Sequence, residues 1–124
     1  MDTNTPDVAV LADDLIWASR LKAAVERSGA RPQAVRSAAD LQRLLSSGAQ
    51  LSAVLIDLNG RGYDGVEAVR LAARAGQLVL AVGQHEDLPL RRRALGAGAR
   101  RVLSYNKLFR DGRQVVTALL EGRL

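Results

Sequence analysis

The stretch AVLIDLNGRGYDG, residues 53–65, decides the fold. An unbroken apolar run, Ala53 to Ile56, meets a single carboxylate at Asp57 and gives way to a loop of glycines with Asn59 and Arg61, before Asp64 and Gly65. A short continuous apolar run with β-branched residues, bounded by turn residues, is a strand buried on both faces, as a parallel sheet requires. A carboxylate at the mouth of such a strand has three uses: to accept a phosphoryl group, to hold a metal, or to cap the loop.

Working outward, the same rhythm recurs along the chain. DVAVLA (7–12) is a buried strand that stops at an acid pair, and from Asp14 the apolar residues Trp17, Ala18, Leu21, Ala24 and Val25 predict an amphipathic helix closed by Gly29. PQAVR (32–36) is a weaker strand, suited to a sheet edge because its proline has no N–H for a ladder. Ser37 then caps a helix through Leu41, Leu44 and Leu45 that Gly48 ends. After the strand at 52–57 come a helix from Asp64 through Ala75, a strand at 78–82, a helix from Asp87 through Ala97 with Pro89 in its first turn, a strand at 100–104 and a last helix from about Asp111 to Glu121. Five strands alternating with five helices make parallel βαβ crossovers, hence a doubly wound α/β domain covering residues 1–124, with residues 1–6 expected to be a flexible N-terminus.

Functional groups in such sheets collect outside the carboxyl ends of the strands. That places Asp13 and Asp14, Asp57, Gly83 and Tyr105 along one rim. Two carboxylates about 4 Å apart at an effective dielectric near 20 repel by roughly 4 kcal/mol. A hard cation such as Mg²⁺, a protonated acid or a nearby positive side chain would offset that repulsion.

This constellation resembles the receiver domain of bacterial two-component response regulators, over almost the whole chain. The resemblance implies strand order 2-1-3-4-5, a flavodoxin-like arrangement with helices on both faces. It implies Asp57 as phosphoacceptor and Mg²⁺ held by Asp13, Asp14, Asp57 and the carbonyl of Asn59. YDGVEAVR (63–70) and ALGAGARRVL (94–103) also look like segments of that family. Two positions depart from it. Gly83 stands where receivers carry a serine or threonine that contacts the phosphoryl group. Tyr105, followed by Asn106, stands where they carry a lysine and a proline. Arg61 and Lys107 are the residues that could supply the missing positive charge. Two readings follow: an atypical receiver acting through protein–protein contact without a complete phosphorylation switch, or a conventional receiver phosphorylated on Asp57 by a sensor kinase. Neither makes the chain an enzyme in its own right.

Composition narrows the remainder. With 124 residues, no cysteine and one histidine, the chain fits one domain and has neither thiolate nor histidine-cluster metal sites. The opening MDTNTPDVAV has no basic region and no long apolar core, so no signal peptide, no membrane span and a cytoplasmic location are expected. The net charge is +5, and 16 of the 18 basic residues are arginine. Arg91, Arg92, Arg93, Arg100 and Arg101 form the densest cluster, on the surface of the fourth helix, fifth strand and fifth helix that in receivers serves output or dimerisation. They are candidates for an acidic partner or a homodimer contact, against the plainer reading of solvated surface. A basic adaptor for nucleic acid is the weakest reading, since aromatics are 3% and no reader motif is present. GRGYDG (60–65) lacks the spacing of a phosphate-binding loop. His85 reads as a polar loop residue before a helix rather than a base, and Trp17 as packing near the rim.

Overall fold

In the computed structural model, which describes residues 5–124, each buried apolar run becomes a strand and each 3.6-periodic segment a helix. In chain order the elements are β1 (Asp7–Leu11), α1 (Leu15–Arg27), β2 (Arg31–Val35), α2 (Ala38–Ser46), β3 (Leu51–Asp57), α3 (Gly65–Arg74), β4 (Val79–Gly83), α4 (Leu88–Ala97), β5 (Arg101–Ser104) and α5 (Tyr105–Leu120). The strands form one sheet in the order β2-β1-β3-β4-β5, all parallel, so the winding reverses between β1 and β3 as expected. β2, with Pro32 opposite Val8, lies at an edge.

Successive side chains of the central strands point to opposite faces, and the core is therefore split in two. Ala9, Leu11, Val54, Ile56, Val79 and Ala81 pack under α2, α3 and α4 with Leu41, Val69 and Ala94. Val8, Val10, Ala53, Leu55, Leu80 and Val82 pack under α1 and α5 with Leu21, Val25, Leu108 and Val116. Burial of each large apolar side chain contributes about 1.5–3 kcal/mol before the entropy of ordering.

Side-chain caps start every helix. Asp14, Ser37, Asp64, Asp87 and Ser104 each accept from a backbone amide two or three residues on, satisfying donors that have no partner within the helix. Two glycines are required by close approach. A Cβ on Gly65 would sit 2.6 Å from the carbonyl oxygen of Leu58, so only glycine lets α3 start against the loop after β3. A Cβ on Gly112 would sit 2.9 Å from that of Ala24, where α5 crosses α1.

The structure corrects one element. The last helix begins at Tyr105 rather than near Asp111. Ser104 caps it by accepting from the Lys107 amide, Leu108 in its first turns is buried, and Asp111 is a kink with φ −120° and ψ 19°. The segment expected to be the loop beyond β5 is thus a helical turn. Of the expected flexible N-terminus, residues 1–4 lie outside the described residues, and the Pro6 carbonyl accepts from the Arg31 amide at 2.8 Å.

Candidate functional site

Asp57 closes β3 with only 1% of its surface exposed, the one buried charged residue among those described. Its carboxylate is held by this chain's own donors. The Asn59 amide donates to Oδ1 at 3.1 Å, and the Tyr105 hydroxyl, brought over the rim by the early start of α5, donates to the same oxygen. That hydroxyl also lies 3.2 Å from Oδ1 of Asn59, which accepts from the Gln84 amide at 3.3 Å. Tyr63 binds the loop back from the other side, its hydroxyl donating to the Asp57 carbonyl at 2.6 Å. Burial pushes the Asp57 carboxyl above its ordinary pKa; the hydrogen bonds from Tyr105 and Asn59 oppose that rise, and the charges of Asp14 and Asp13 add to it. Tyr105 is pushed well above the usual phenol range, by burial first and then by its bond to Asp57, so at neutral pH it is a proton donor.

The acid pair sits at the end of β1 as expected, but its oxygens have other partners. Asp13 accepts from the amides of Arg61 and Gly62 at 3.2 and 2.7 Å, tying the loop after β3 to β1. Asp14 caps α1 by accepting from the Trp17 amide at 3.0 Å. Among the described residues no group of three carboxylate or histidine side chains is placed to hold a metal ion. Asp13, Asp14, Asp57 and Asn59 thus share the rim, with both oxygens of Asp13 and one oxygen each of Asp14 and Asp57 accepting from this chain's own donors. An open cleft of about 570 Å³ lies in front of them, bounded by Asp13, Asp14, Asn59 and Arg61 and by the exposed Leu15 and Ile16.

Neither candidate for the missing cation reaches Asp57. The Lys107 ammonium pairs with Asp111 at 2.9 Å along α5. Arg61 lines the cleft, and its guanidinium makes no ion pair among the described residues. Gly83 ends β4, and a Cβ there would come within 3.1 Å of Asn59 Oδ1, so the Asn59 side chain fills the space beside the glycine. His85 is exposed, 4.0 Å from Glu86. Arg91, Arg92 and Arg93 are exposed on α4 and Arg101 on β5, while Arg100 Nε donates to the Leu124 carbonyl at 2.5 Å.

Tyr63 was not singled out in the sequence, where YDG draws attention to the aspartate and glycine that follow. Trp17 is more than packing near the rim: its ring lies 4.1 Å from that of Tyr105 with planes 30° apart, backing the tyrosine onto Asp57. Arg20 stands over Trp17 at 4.9 Å and over Phe109 at 4.4 Å. An aromatic at helical spacing signals burial, but its partner on the neighbouring helix comes only from the fold.

No family model matches the sequence, and no curated protein matches it. Solved structures do match. The signal receiver domain of an HD domain-containing protein from Pseudomonas fluorescens superposes with a TM-score of 0.84 at 17% identity, covering 99% of this chain and 92% of that one. This chain has the receiver fold. A two-component response regulator of the LuxR family from Aurantimonas matches with a TM-score of 0.81 at 24% identity, over 97% of this chain and 88% of that one. A third receiver-fold match is a response regulator from Burkholderia pseudomallei, described with a phosphorylated aspartic acid, a calcium ion and citrate. Its TM-score is 0.76 at 15% identity, over 93% of this chain and 66% of that one. The resemblance read from the acid pair, Asp57 and the Asp64-Gly65 pair therefore holds at the level of the fold. No helix among the described residues is long and apolar enough to cross a membrane.

Proposed function

We propose that this chain is a receiver-fold signalling module that works through protein–protein contact, its phosphoacceptor position held closed by Tyr105. One observation carries the reading: the Tyr105 hydroxyl donates to Asp57, at the position where the resemblance calls for a lysine. A lysine there would offer a positive charge to an incoming phosphoryl group. A phenol that keeps its proton offers a neutral donor and occupies the carboxylate oxygen. Gly83 brings no hydroxyl, and Asn59 is folded over it. The pocket thus favours one fixed state that a partner reads, rather than a switch. On this reading the chain is a signalling protein and not an enzyme, with the exposed Arg91, Arg92, Arg93 and Arg101 available to an acidic partner or to a second copy at the face formed by α4, β5 and α5.

A second reading is favoured by the open cleft lined by Asp13, Asp14 and Asn59 and by likeness to the phosphorylated Burkholderia protein. Here a sensor kinase phosphorylates Asp57, with Mg²⁺ held by Asp13, Asp14, Asp57 and the Asn59 carbonyl. Tyr105 would have to give up its bond to Asp57, and Asp13, both of whose oxygens accept from amides, would have to share them with the metal, while Asp14 uses only one oxygen to cap α1.

Acetyl phosphate with Mg²⁺, read by intact mass, separates the two. The closed pocket predicts no adduct on the wild type. A near-complete gain of roughly 80 Da that Asp57→Asn abolishes would establish the switch instead. Mg²⁺ at millimolar concentration should likewise leave Trp17 fluorescence unchanged, since the donors are engaged and Trp17 reports through Tyr105. A saturable change would show the acids opening to a metal.

A further inference from the structure

The densest run of arginines in the sequence lies on α4, but folding assembles a second basic surface from residues far apart in the chain. Where α5 crosses α1 at Gly112 and Ala24, the close approach leaves a groove of about 260 Å³ floored by Ala23, Ala24 and Leu108. Arg20 and Arg27 line it from α1, and Arg110 and Arg113 from α5. It continues past Arg27 and Arg113 to Arg123. No carboxylate lines either part. Two neighbouring acids reach groove arginines from outside it, Asp111 pairing with Lys107 and Arg110 and Glu121 with Arg123, while Glu26 faces solvent off the groove. Arg20, Arg27 and Arg113 are thus the groove's guanidiniums with no carboxylate partner among the described residues. At one end Arg20 is held between the faces of Trp17 and Phe109, and Phe109 is 63% exposed, large for an aromatic ring on a solvated helix.

We infer that this groove is the docking site for an acidic amphipathic segment of a partner protein. Guanidinium forks on both walls match carboxylates in paired geometry. The small apolar floor and the exposed Phe109 ring give the segment's apolar residues a place to pack, and a cleft between two helices is a shape that a third helix fills. Nucleic acid would use the charge but leave the floor and Phe109 uncovered. None of Asp13, Asp14, Asp57, Asn59 or Tyr105 lines the groove, so the inference goes beyond the proposed function and stands whether or not Asp57 accepts a phosphoryl group.

The test uses the full chain, without Mg²⁺ or phosphodonor, and a fluorescein-labelled peptide of about 16 residues, long enough to turn helical on docking, with leucine at helical spacing and glutamate between. Anisotropy at about 0.1 M salt should show binding, and replacing glutamate by glutamine in the peptide should weaken it about tenfold or more. Arg27→Glu with Arg113→Glu, both exposed and checked for an unchanged melting temperature, should weaken it by a similar factor, and Arg91→Glu with Arg92→Glu should not. No binding, equal binding of the glutamine peptide, or an unaltered affinity in the Arg27/Arg113 variant would each overturn the proposal. Tighter binding of a short DNA duplex, lost in that same variant, would also overturn it by making the groove a nucleic-acid surface.

Discussion

Replacing Tyr105 by phenylalanine removes one hydroxyl and leaves the ring on Trp17, 4.1 Å away. What is lost is the hydrogen bond to a carboxylate only 1% exposed. A hydrogen bond to a charged group contributes about 1.5–3 kcal/mol, and a buried acceptor left short of donors cannot recover the difference from water. With an unfolding entropy of about 2.1 cal/mol/K per residue, a chain this long melts roughly 4 °C lower for each kcal/mol lost, so the expected drop is about 6–12 °C near pH 8. The sign with pH follows from the raised pKa of Asp57, whose first cause is burial. A group whose folded pKa lies above its unfolded value favours the fold below the unfolded value and loses that contribution as pH rises through the folded one. The ionised carboxylate is therefore the costly form, and the tyrosine offsets part of that cost. Below the folded pKa the hydroxyl meets a neutral acid and its contribution falls to about 0.5–1.5 kcal/mol. The gap in melting temperature between wild type and Tyr105→Phe should thus widen as pH rises through the raised pKa of Asp57 towards pH 8, followed by differential scanning fluorimetry and confirmed by urea titration. A gap under about 2 °C at pH 8, or one that widens towards acid, would refute the idea that the hydroxyl serves an ionised Asp57.

Two further substitutions bear on the same rim. Asp57→Asn keeps the shape and the acceptor for Tyr105 but removes the buried charge, so its melting temperature should exceed that of the wild type by a few degrees near pH 8, the excess shrinking as pH falls through the raised pKa of Asp57; a lower value near pH 8 would mean that the carboxylate is fully compensated by its donors. Gly65→Ala places a Cβ against the backbone of Leu58 and should cost about 2 kcal/mol or more, whereas Gly96→Ala, in α4 with nothing within 4 Å, should stabilise by roughly 0.5–1 kcal/mol. Denaturant midpoints of the two variants that fail to move in opposite directions would contradict the close approach at Gly65.

The alternation of strands and helices and the positions of the acids were legible because they depend on local signals: continuous apolar runs at β1, β3 and β4, the Ser37 cap, and helix starts at Asp14, Asp64 and Asp87; the order of the strands in the sheet came from the resemblance. The junction after β5 was not. Periodicity placed the last helix after Asp111, where the kink lies, and it could not reveal that Ser104 caps a turn six residues earlier. That turn decides where Tyr105 points, and so the character of the site. The arginine groove was hidden for a different reason: Arg20 and Arg27 meet Arg113 only through the packing of α1 on α5. In the sequence, Gly83 and Tyr105 read as two independent losses from a receiver pocket. In the structure they are complementary. The absence of a side chain at Gly83 lets Asn59 fold over it to the Gln84 amide, and the same Asn59 oxygen lies 3.2 Å from the Tyr105 hydroxyl on Asp57. A Cβ at residue 83 would come within 3.1 Å of that oxygen. Restoring serine there alone therefore disturbs Asn59 without releasing Asp57, and only together with a change at Tyr105 would it open the pocket.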